Sequence, residues 1–545
     1  MNWKIINQQS YDSQAQLINQ LLINRNIEPN SEFFKPVNPL KLKPEKLGFD
    51  LDQLAKAKKI LKKAIKEQKK LVIFGDYDAD GITAASIVWL TLKHLGLVSI
   101  PFIPDRQKHG YGLSVAALKE IVAEHQPEMI LTVDNGIVAN EAINWAVDHN
   151  LEVVLTDHHQ PFKQLPKAQA IVHSTEICGA AVAWILMREL DAEFTVNLLD
   201  LVGIATVADQ MPLIGPNRSF VYHGLKVLRN TQRAGLKALY KVARIDPKTI
   251  DSYTIGFMIA PRINAAGRLS QGIKAMRLLC TGRSASAAAL ASELDLINQE
   301  RRDLTADHFK IALVQAQQQA DQALLFITSD KFHDGVIGLL AGRLTEKFYK
   351  PCIVVSTEGK VAKASARSVT GVNITELIRE VEPLLLSVGG HELAAGFSAE
   401  LVKLDQVKTA LQKLVLTNID PVLLTPQLKI DLELQPTFID RALVDKINQL
   451  APFGMGNSKP IFATYQTQLL EARTLGKEQQ HLKLILRFAQ DDYQSYEALA
   501  WNKGFLAADL KPGQRLDVAY NLELNTWNGR SKIQLKLKDF KAKAD

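Results

Sequence analysis

The chain contains very little cysteine. Its 545 residues include only Cys178, Cys280 and Cys352, which are too far apart in sequence to form a CxxC motif. A disulfide framework of the kind that stabilises small secreted domains is therefore not expected, nor is a zinc site built on paired thiolates. Each cysteine is typical of a small apolar core residue in a reducing cytosol.

Long apolar runs are also missing. The most apolar segments lie around residues 178–187 and 198–208, and they are either too short or interrupted by Asp200. A membrane-spanning helix needs about 20 consecutive apolar residues. The opening segment MNWKIINQQS lacks the charged and then apolar pattern of a signal peptide. We therefore expect no membrane segment and a soluble, cytoplasmic protein.

The composition is that of an ordinary globular protein, with 47% hydrophobic and 23% charged residues. A chain of 545 residues is too long for one hydrophobic core, so about two to four domains are expected. The formal charge of +7 and the pI near 9.0 favour a polyanionic partner. Because many basic proteins bind no nucleic acid, charge alone does not identify that partner.

Four short runs combine acidic and imidazole side chains: DYDADG with Asp76, Asp78 and Asp80, VDNG with Asp134, TDHH with His158 and His159, and ADQ with Asp209. Three of the runs follow compact apolar segments at 71–75, 129–133 and 153–156. Such segments predict strands that are buried on both faces of a parallel sheet. Because ligands bind at the carboxyl ends of such strands, we expect these side chains to converge on one edge of the sheet.

Carboxylates brought this close together repel one another unless cations neutralise them, so the pattern predicts metal. Oxygen-rich ligand sets with one or two imidazoles suit Mn²⁺ or Mg²⁺. Asp78 and Asp80 alternate along the chain, so each could serve one of two cations. Asp134 is the natural bridging ligand, and His158 and Asp209 would complete the shell. A lone DxD after a strand is more often a capped turn, but four clusters together favour a dinuclear site suited to phosphoryl chemistry.

Read in order, DYDADG, VDNG, TDHH and ADQMPL resemble the motifs of the DHH phosphoesterase superfamily, whose triad stands here as Asp157, His158 and His159. Five further runs resemble the RecJ family of single-strand-specific 5′→3′ DNA exonucleases: RQKHGYGL (106–113), PRINAAGRLS (261–270), HDGVIGLLAGRL (333–344), SARS (365–368) and GGHELAAGFS (389–398). The resemblance extends from about residue 45 to the last residue. It implies metal ligands at Asp78, Asp80, Asp134, His158 and Asp209. It also implies that His159 lies beside the metals as a phosphate contact or proton donor.

Two further motifs supply candidate contacts to a polynucleotide. The resemblance implies that Ser365 and Arg367 of the SARS run seat the 5′ end, and arginine suits bidentate phosphate contacts. PRINAAGRL adds Arg262, Asn264 and Arg268, which we expect on a glycine-containing loop. Any one of these arginines could instead form a surface ion pair.

Three more positions are candidate contacts. Arg106 is expected to help bind phosphate, and Tyr111 offers a flat face on which a base can stack. In GGHELAAGF we expect two glycines and a helix start to present N–H groups to an anion, with His391 donating to a phosphate oxygen. A glycine helix cap with an incidental histidine is the alternative. The roles of His333 and Asp76 stay open at this point.

The expected fold is α/β, with two α/β lobes joined by a long helix and followed by a small β-barrel. The expected segments are an N-terminal arm (1–45), a DHH domain (46–282), a connecting long helix (283–323), a DHHA1-like domain that binds phosphate and nucleic acid (324–415) and an OB-fold-like domain (416–545). The barrel is predicted from alternating runs at 481–488, 497–502, 515–524 and 532–540. The pattern alone also allows a sandwich or another small barrel, and the family resemblance favours the OB fold.

The resemblance implies a single-stranded-DNA-specific exonuclease that hydrolyses phosphodiester bonds 5′→3′ with two Mn²⁺ or Mg²⁺ ions, releasing 5′-mononucleotides in recombination and repair. It also implies a single-strand-binding protein and a RecQ-type helicase as partners, and we expect a monomer. The alternative is a DHH phosphoesterase acting on dinucleotides or short oligoribonucleotides, against which residues 416–545 argue. A non-catalytic scaffold is a third possibility, against which the full ligand set argues. No residue distinguishes DNA from RNA.

Overall fold

The computed structural model describes residues 2–7, 10–29, 31–109, 112–488, 494–527 and 529–542, and the side chains of all of these except residues 31, 106, 107 and 527. The chain divides into two compact units. The smaller contains Met1–Leu42, Gln210–Tyr222 and Gln427–Asp545, and the larger contains Lys43–Asp209 and His223–Pro426. Each unit is thus assembled from segments that are distant in sequence, and the five segment bounds expected from the sequence stay predictions.

The strands, in chain order, are β1 Asn2–Ile5, β2 Leu71–Gly75, β3 Ser99–Phe102, β4 Met129–Val133, β5 Glu152–Asp157, β6 Ala170–His173, β7 Leu325–Ser329, β8 Cys352–Ser356, β9 Val361–Arg367, β10 Ser387–His391, β11 Ala394–Glu400, β12 Gln427–Ile430, β13 Leu432–Glu433, β14 Phe462–Leu475, β15 His481–Arg487, β16 Ser495–Ala500, β17 Arg515–Trp527 and β18 Arg530–Ala542.

The helices, in chain order, are α1 Gln14–Ile23, α2 Ser31–Phe34, α3 Leu51–Glu67, α4 Ala79–His94, α5 Arg106–His109, α6 Val115–His125, α7 Asn140–Asp148, α8 Gly179–Arg188, α9 Ala192–Thr195, α10 Leu199–Ala208, α11 Gly215–Arg229, α12 Ala234–Ala243, α13 Ser252–Thr254, α14 Ala260–Leu269, α15 Ile273–Cys280, α16 Ser284–Gln318, α17 Ile337–Phe348, α18 Ile374–Arg379, α19 Leu404–Asn418 and α20 Arg441–Asn448. A π-helical turn at Ile255–Ile259 joins α13 to α14.

The larger unit is built around a five-stranded parallel sheet with the order β3-β2-β4-β5-β6. Every residue of β2 and β4 is buried, as expected for short apolar runs covered on both faces. Gly75 pairs with Val133, and Val133 pairs with Thr156, so the three central strands end level with one another. The acidic residues that follow them in sequence therefore start from one edge of the sheet.

The second lobe of the larger unit is a mixed sheet with the order β10-β11-β9-β8-β7. Only β7 and β8 run parallel, and the other neighbours are antiparallel. The 35-residue helix α16 comes before this lobe without interruption, as its lack of glycine and proline predicts. Ser365 and Arg367 lie two residues apart on β9, so both project from the same face of the strand.

Two local expectations are wrong. PRINAAGRLS lies in helix α14 and its C-cap and does not form a loop. Gly267 does not break this helix; it allows close packing, since a Cβ there would lie 2.0 Å from the backbone oxygen of Tyr77. GGHELAAGF forms the antiparallel β10–β11 hairpin, and no helix starts within this described segment. Gly390, at φ +150°, is needed because a Cβ would lie 2.4 Å from the Ala394 oxygen.

The smaller unit contains a closed five-stranded barrel in which β14, β15, β16, β18 and β17 follow one another and β17 pairs back to β14. The sequence pattern did not reveal β14, because register shifts after Thr464 and Leu469 disturb its alternation of buried and exposed residues. The fold class expected from the sequence is confirmed: two α/β lobes with a long helix, and an OB-like barrel.

The described part of residues 2–42 contains a strand, β1, and two helices, α1 and α2. β1 pairs in parallel with β12, and Ser13 caps the ten-residue helix α1. The buried leucines of α1, including Leu17 and Leu21, belong to the same hydrophobic core as the inward side chains of the barrel. Across the described part of the chain, no helix is both long enough and apolar enough to traverse a bilayer.

A buried arginine ties together three segments of the smaller unit. Arg218 is 2% exposed, and its guanidinium donates to the backbone oxygens of Phe33 (2.8 Å), Leu450 (3.0 Å) and Ala451 (2.7 Å). It also lies 3.8 Å from the centre of the Phe33 ring. Burial lowers its pKa to about 10, so the group still carries its charge at neutral pH.

We predict that Arg218→Leu lowers the free energy of unfolding of the smaller unit by about 3 kcal/mol, because several buried carbonyls lose a charged donor. Urea denaturation measures the change. Arg441→Leu is the matched control, because the Arg441 side chain is 69% exposed and should change stability by less than about 0.5 kcal/mol. Equal effects of the two substitutions would contradict the anchoring role.

Candidate metal centre and nucleic-acid cleft

The DYDADG run turns tightly between β2 and α4. Asp76 is buried directly after the strand, and Asp78 is the exposed N-cap of α4. The Asp78 Oδ1 atom accepts from the backbone N–H of Asp80 (2.9 Å) and of Gly81 (3.1 Å). Gly81 is required because a Cβ would lie 2.5 Å from the Asp76 nitrogen. The turn therefore brings Asp76, Asp78 and Asp80 to one side of the sheet edge.

Asp80 and Asp134 differ in their hydrogen bonding and backbone conformation. Asp80 is buried, and its oxygens accept from the N–H groups of Gly179 (Oδ2, 2.7 Å) and Ala180 (Oδ1, 2.7 Å). Asp134 follows β4 with φ +60°, a left-handed conformation that aspartate rarely adopts. Its Oδ1 atom is buried and has no hydrogen-bond partner among the described residues. Such an orphaned acceptor is costly unless a ligand satisfies it.

His158 lies among three of the carboxylates. Its Nε2 atom is 3.3 Å from Asp134 Oδ1, 3.7 Å from Asp80 Oδ2 and 3.8 Å from Asp209 Oδ2. The Asp209 side chain, which follows α10, is 28% exposed and opens the group to solvent. Among the described residues, three groups have possible ligand atoms that all lie within 4.8 Å of one another inside the group. The groups are Asp80, His158 and Asp209; Asp76, Asp78 and Asp134; and Asp134, His158 and His159.

Asp157 organises both histidines. Its Oδ1 atom accepts from the backbone N–H groups of His158 (2.7 Å) and His159 (3.1 Å) and from the ring Nδ1 of His159 (2.7 Å). Its Oδ2 atom accepts from the Ile137 N–H at 2.9 Å. Burial lowers the pKa of His159, but the hydrogen bond and the charge of Asp157 outweigh it and raise that pKa to about 9. His159 is therefore an imidazolium at neutral pH.

The sequence assigned no role of its own to Asp157 or Asp76. The signal was present, since Asp157 is the last residue of β5 and Asp76 is the first residue after β2. Both positions lie at the edge where the other acids converge. The structure adds Asp76 to the donors of the cluster and makes Asp157 a positioning residue for His158 and His159.

The electrostatics of the cluster fit cations. Burial, and next the charge of Asp78, raise the pKa of Asp76 and Asp80 to about 7. Burial and the charge of Asp80 raise the pKa of Asp209 to about 8, and that of Asp134 well above its ordinary value. Burial and the charge of His159 lower the pKa of His158 to about 3, so its ring is neutral. Buried carboxylates beside a neutral imidazole, with no cysteine among the donors, suit Mn²⁺ or Mg²⁺.

A cavity of about 180 Å³ adjoins the acids. Its lining residues are Tyr77, Asp78, Asn264, Arg268, Asp334, Gly338, Ser365 and Arg367. The Arg367 Nη1 atom contacts Ser365 Oγ at 3.3 Å, and burial lowers the pKa of the guanidinium. Within the described residues, no carboxylate lies close enough to form a salt bridge with Arg367. A half-buried arginine without a carboxylate partner is suited to bind an anion.

Two of the three candidate residues on helix α14 line this cavity. Asn264 lines the cavity and accepts from the Ala79 N–H at 2.7 Å, which also fixes the start of α4. Arg268 lines the cavity and donates to the Gly335 oxygen at 3.3 Å. Arg262 does not line it: its guanidinium forms an ion pair with Asp295 at 2.8 Å. The ion-pair alternative raised by the sequence therefore describes Arg262 in this structure.

The other candidate contact residues are His391, His333, Arg106 and Tyr111. His391 ends β10 with its ring centre 6.0 Å from that of His159, so the second lobe reaches the metal cluster. The Nδ1 atom of His333 accepts from the Gly335 N–H at 3.0 Å, which favours the structural alternative for this residue. The side chain of Arg106 and all of Tyr111 lie outside the described residues. Tyr77, Gly338 and Asp334 are lining residues that the sequence did not indicate.

Comparisons with known proteins agree with this architecture. Family models match the DHH family, N-terminal domain, over residues 70–206, the DHHA1 domain over residues 321–417 and the RecJ OB domain over residues 430–539. The single-stranded-DNA-specific exonuclease RecJ of Bacillus subtilis is 35% identical over 503 residues, which cover 90% of this chain and 64% of that relative. This chain thus spans slightly less than two thirds of the Bacillus relative.

Two further matches come from Thermus thermophilus. The single-stranded-DNA-specific exonuclease RecJ of that organism is 33% identical over 513 residues, covering 92% of this chain and 72% of the relative. The crystal structure of RecJ in complex with Mn²⁺ from the same organism aligns with 100% of this chain and 80% of that chain, with a TM-score of 0.83 and 28% identity.

The parallel sheet with its acidic edge and the DHHA1 lobe define a phosphoesterase of the DHH family. Within that class, the sequence identity to RecJ proteins over most of the chain and the matching RecJ OB domain indicate one family. The chain belongs to the RecJ family.

We predict that, in a chelator, the stability of the larger unit falls as pH rises from about 5 to about 8. The folded-state pKa values of Asp80 (about 7) and Asp209 (about 8) lie above the ordinary value of 3.8, so the folded chain holds protons that the unfolded chain releases. This stabilisation is complete below pH 3.8 and is lost as pH passes through 7 and 8. Cations replace these protons, so Mn²⁺ should raise the melting temperature more at pH 8 than at pH 5. Calorimetry with EDTA or Mn²⁺ measures both trends.

The control for this prediction is Asp80→Asn. It removes one titrating group from the cluster, so it should flatten the pH dependence in chelator and reduce the gain from Mn²⁺. A wild-type slope in this variant, or a gain from Mn²⁺ that does not change with pH, would contradict the assignment.

Proposed function

We propose that the chain is a single-stranded-DNA-specific exonuclease that hydrolyses phosphodiester bonds from the 5′ end, releases 5′-mononucleotides and acts in DNA recombination and repair. The single observation that carries the proposal is the sharing of Asp78 between two features. Asp78 belongs to the acidic donor cluster and also lines the cavity that contains Ser365 and Arg367. A phosphate bound by Arg367 would therefore lie beside the metal ligands. The names and the fold of the RecJ relatives support the same substrate.

The acidic cluster would hold two cations. Asp80, His158 and Asp209 form one set of donors, Asp76 and Asp78 form another, and Asp134 is shared because its oxygen lies close to both. When bound, two divalent ions would activate water and neutralise the negative charge that develops on the attacking and leaving oxygens. His159 donates its Nδ1 proton to Asp157, and because its pKa is raised to about 9 it also carries a proton on Nε2. That Nε2 proton would form a hydrogen bond to a phosphate oxygen or pass to a leaving oxygen.

The second lobe would set the end from which digestion starts. Ser365 and Arg367 face the cavity from one strand, and Gly338 leaves space there, since a Cβ would lie 3.2 Å from Arg367 Nη2. This arrangement supports a pocket for a terminal phosphate, and Asn264 and Arg268 line the same cavity as Asp78. The single-strand-binding protein and the RecQ-type helicase stay predictions from the family resemblance, and the monomeric state and the cytoplasmic location stay expectations from the sequence.

A phosphoesterase for dinucleotides or short oligoribonucleotides is the second candidate, because the DHH and DHHA1 segments alone would serve it. The RecJ OB segment at residues 430–539 favours a longer polymer, since OB folds bind extended single strands.

We predict a higher kcat/KM on a long single strand than on a dinucleotide, measured with labelled DNA substrates in Mn²⁺. Faster turnover of the dinucleotide would overturn the choice.

We predict that Asp134→Ala lowers cleavage of single-stranded DNA by at least about a thousandfold, because the shared ligand of both cations is lost. Strand binding, measured by fluorescence anisotropy, should be unchanged or tighter, since a negative charge is removed. Asp307→Ala is the matched control, because the Asp307 side chain is 71% exposed and pairs only with Lys310. Turnover of Asp134→Ala near that of the control would refute the dinuclear site.

We predict that Arg367→Gln raises KM about 10- to 100-fold for strands with a 5′ phosphate, as loss of a charged hydrogen bond costs roughly 1.5–3 kcal/mol. The KM for strands with a 5′ hydroxyl should change little. End-labelled strands with and without the phosphate measure the difference. Arg379→Gln, an exposed arginine at the end of α18, is the matched control. Equal losses on both substrates would show that Arg367 does not bind the terminal phosphate.

A further inference from the structure

The first turn of α8 contacts the metal cluster from outside it. The backbone N–H groups of Gly179 and Ala180 donate to the two oxygens of Asp80, each at 2.7 Å. Cys178 is the fully buried N-cap residue of the same helix, and its Sγ atom lies 3.6 Å from Thr206 Oγ1. The Asp80 carboxylate therefore cannot rotate without losing both backbone hydrogen bonds at once, and the partial positive charge of the helix end stabilises its negative charge.

Gly179 also controls the space available to Asp134. A Cβ at position 179 would lie 2.3 Å from Asp134 Oδ1 and 2.6 Å from its Cβ and Cγ. Asp134 cannot easily move away, since its backbone is in the left-handed region and its Oδ1 lies 3.3 Å from His158 Nε2. One glycine thus donates to Asp80 and leaves room for Asp134, so it sets the distance between the two carboxylates.

We propose that the first turn of α8, Cys178–Ala180, is a positioning element for the dinuclear centre. The backbone amides of Gly179 and Ala180 fix the orientation of Asp80, and the missing side chain of Gly179 lets Asp134 reach both cations. The inference rests on the metal centre of the proposed function but concerns metal binding and not the choice of substrate. Its test can therefore succeed or fail independently of exonuclease activity.

The first test is Gly179→Ala in the full chain. We expect the second Mn²⁺ to bind at least about 30-fold more weakly by titration calorimetry, while the first binds within about threefold. Electron paramagnetic resonance should change from the spectrum of an exchange-coupled manganese pair to that of isolated Mn²⁺. Gly282→Ala is the matched control, because a Cβ at residue 282 would meet nothing within 4 Å. Two coupled ions in Gly179→Ala with wild-type affinity would overturn the proposal.

A second pair of variants keeps the test decisive if Gly179→Ala does not fold. Ala180→Pro removes the N–H that donates to Asp80 Oδ1 in the first turn of the helix, where proline is tolerated, and we expect Mn²⁺ affinity to fall about three- to tenfold. Ala180→Gly keeps that N–H and should retain wild-type affinity within about threefold. Equal affinities in the proline and glycine variants would contradict the orienting role of this amide. If wild type binds a coupled manganese pair but cleaves no single strand, the proposed function fails, and the metal affinities of these variants still decide this inference.

Discussion

Negative charges held close together in a dry environment govern the architecture of the larger unit. Asp76, Asp80 and Asp134 are each about 2% exposed, and burial together with their mutual repulsion raises their pKa values. Without cations, such a group is stable only if it binds protons, and with cations it becomes a set of ligands. The rest of the unit can be understood as the structure needed to hold these acids together.

Strand register and close packing hold these mutually repelling carboxylates together. Three adjacent strands end level, so residues distant in sequence start from one edge. Glycines then allow backbone to approach side chain where any Cβ would collide: Gly81 at Asp76, Gly179 at Asp134 and Gly267 at the oxygen of Tyr77. Asp157 adds the last constraint, since one carboxylate holds both His158 and His159 in place. These contacts restrict the orientations that the acidic and imidazole side chains can adopt.

The sequence predicted the acidic edge because strand ends and charge are local signals, visible as a few apolar residues followed by aspartate. It could not predict partners that depend on tertiary packing. The ion pair of Arg262 with Asp295 joins residues from different helices, and only the fold brings them together. The helix that contains Asn264 and Arg268 was mistaken for a loop because Gly267 resembles a breaker until its contact is known. The strand at 462–475 escaped prediction because bulges disturb its period.

Anomalous diffraction from crystals of the full chain grown with Mn²⁺ would locate the cations at the acidic edge. We predict two manganese peaks at the edge of the parallel sheet, one in contact with Asp80, His158 and Asp209 and one in contact with Asp76 and Asp78. Asp134 should touch both ions. One peak, no peak, or carboxylates turned away from the ions would contradict it.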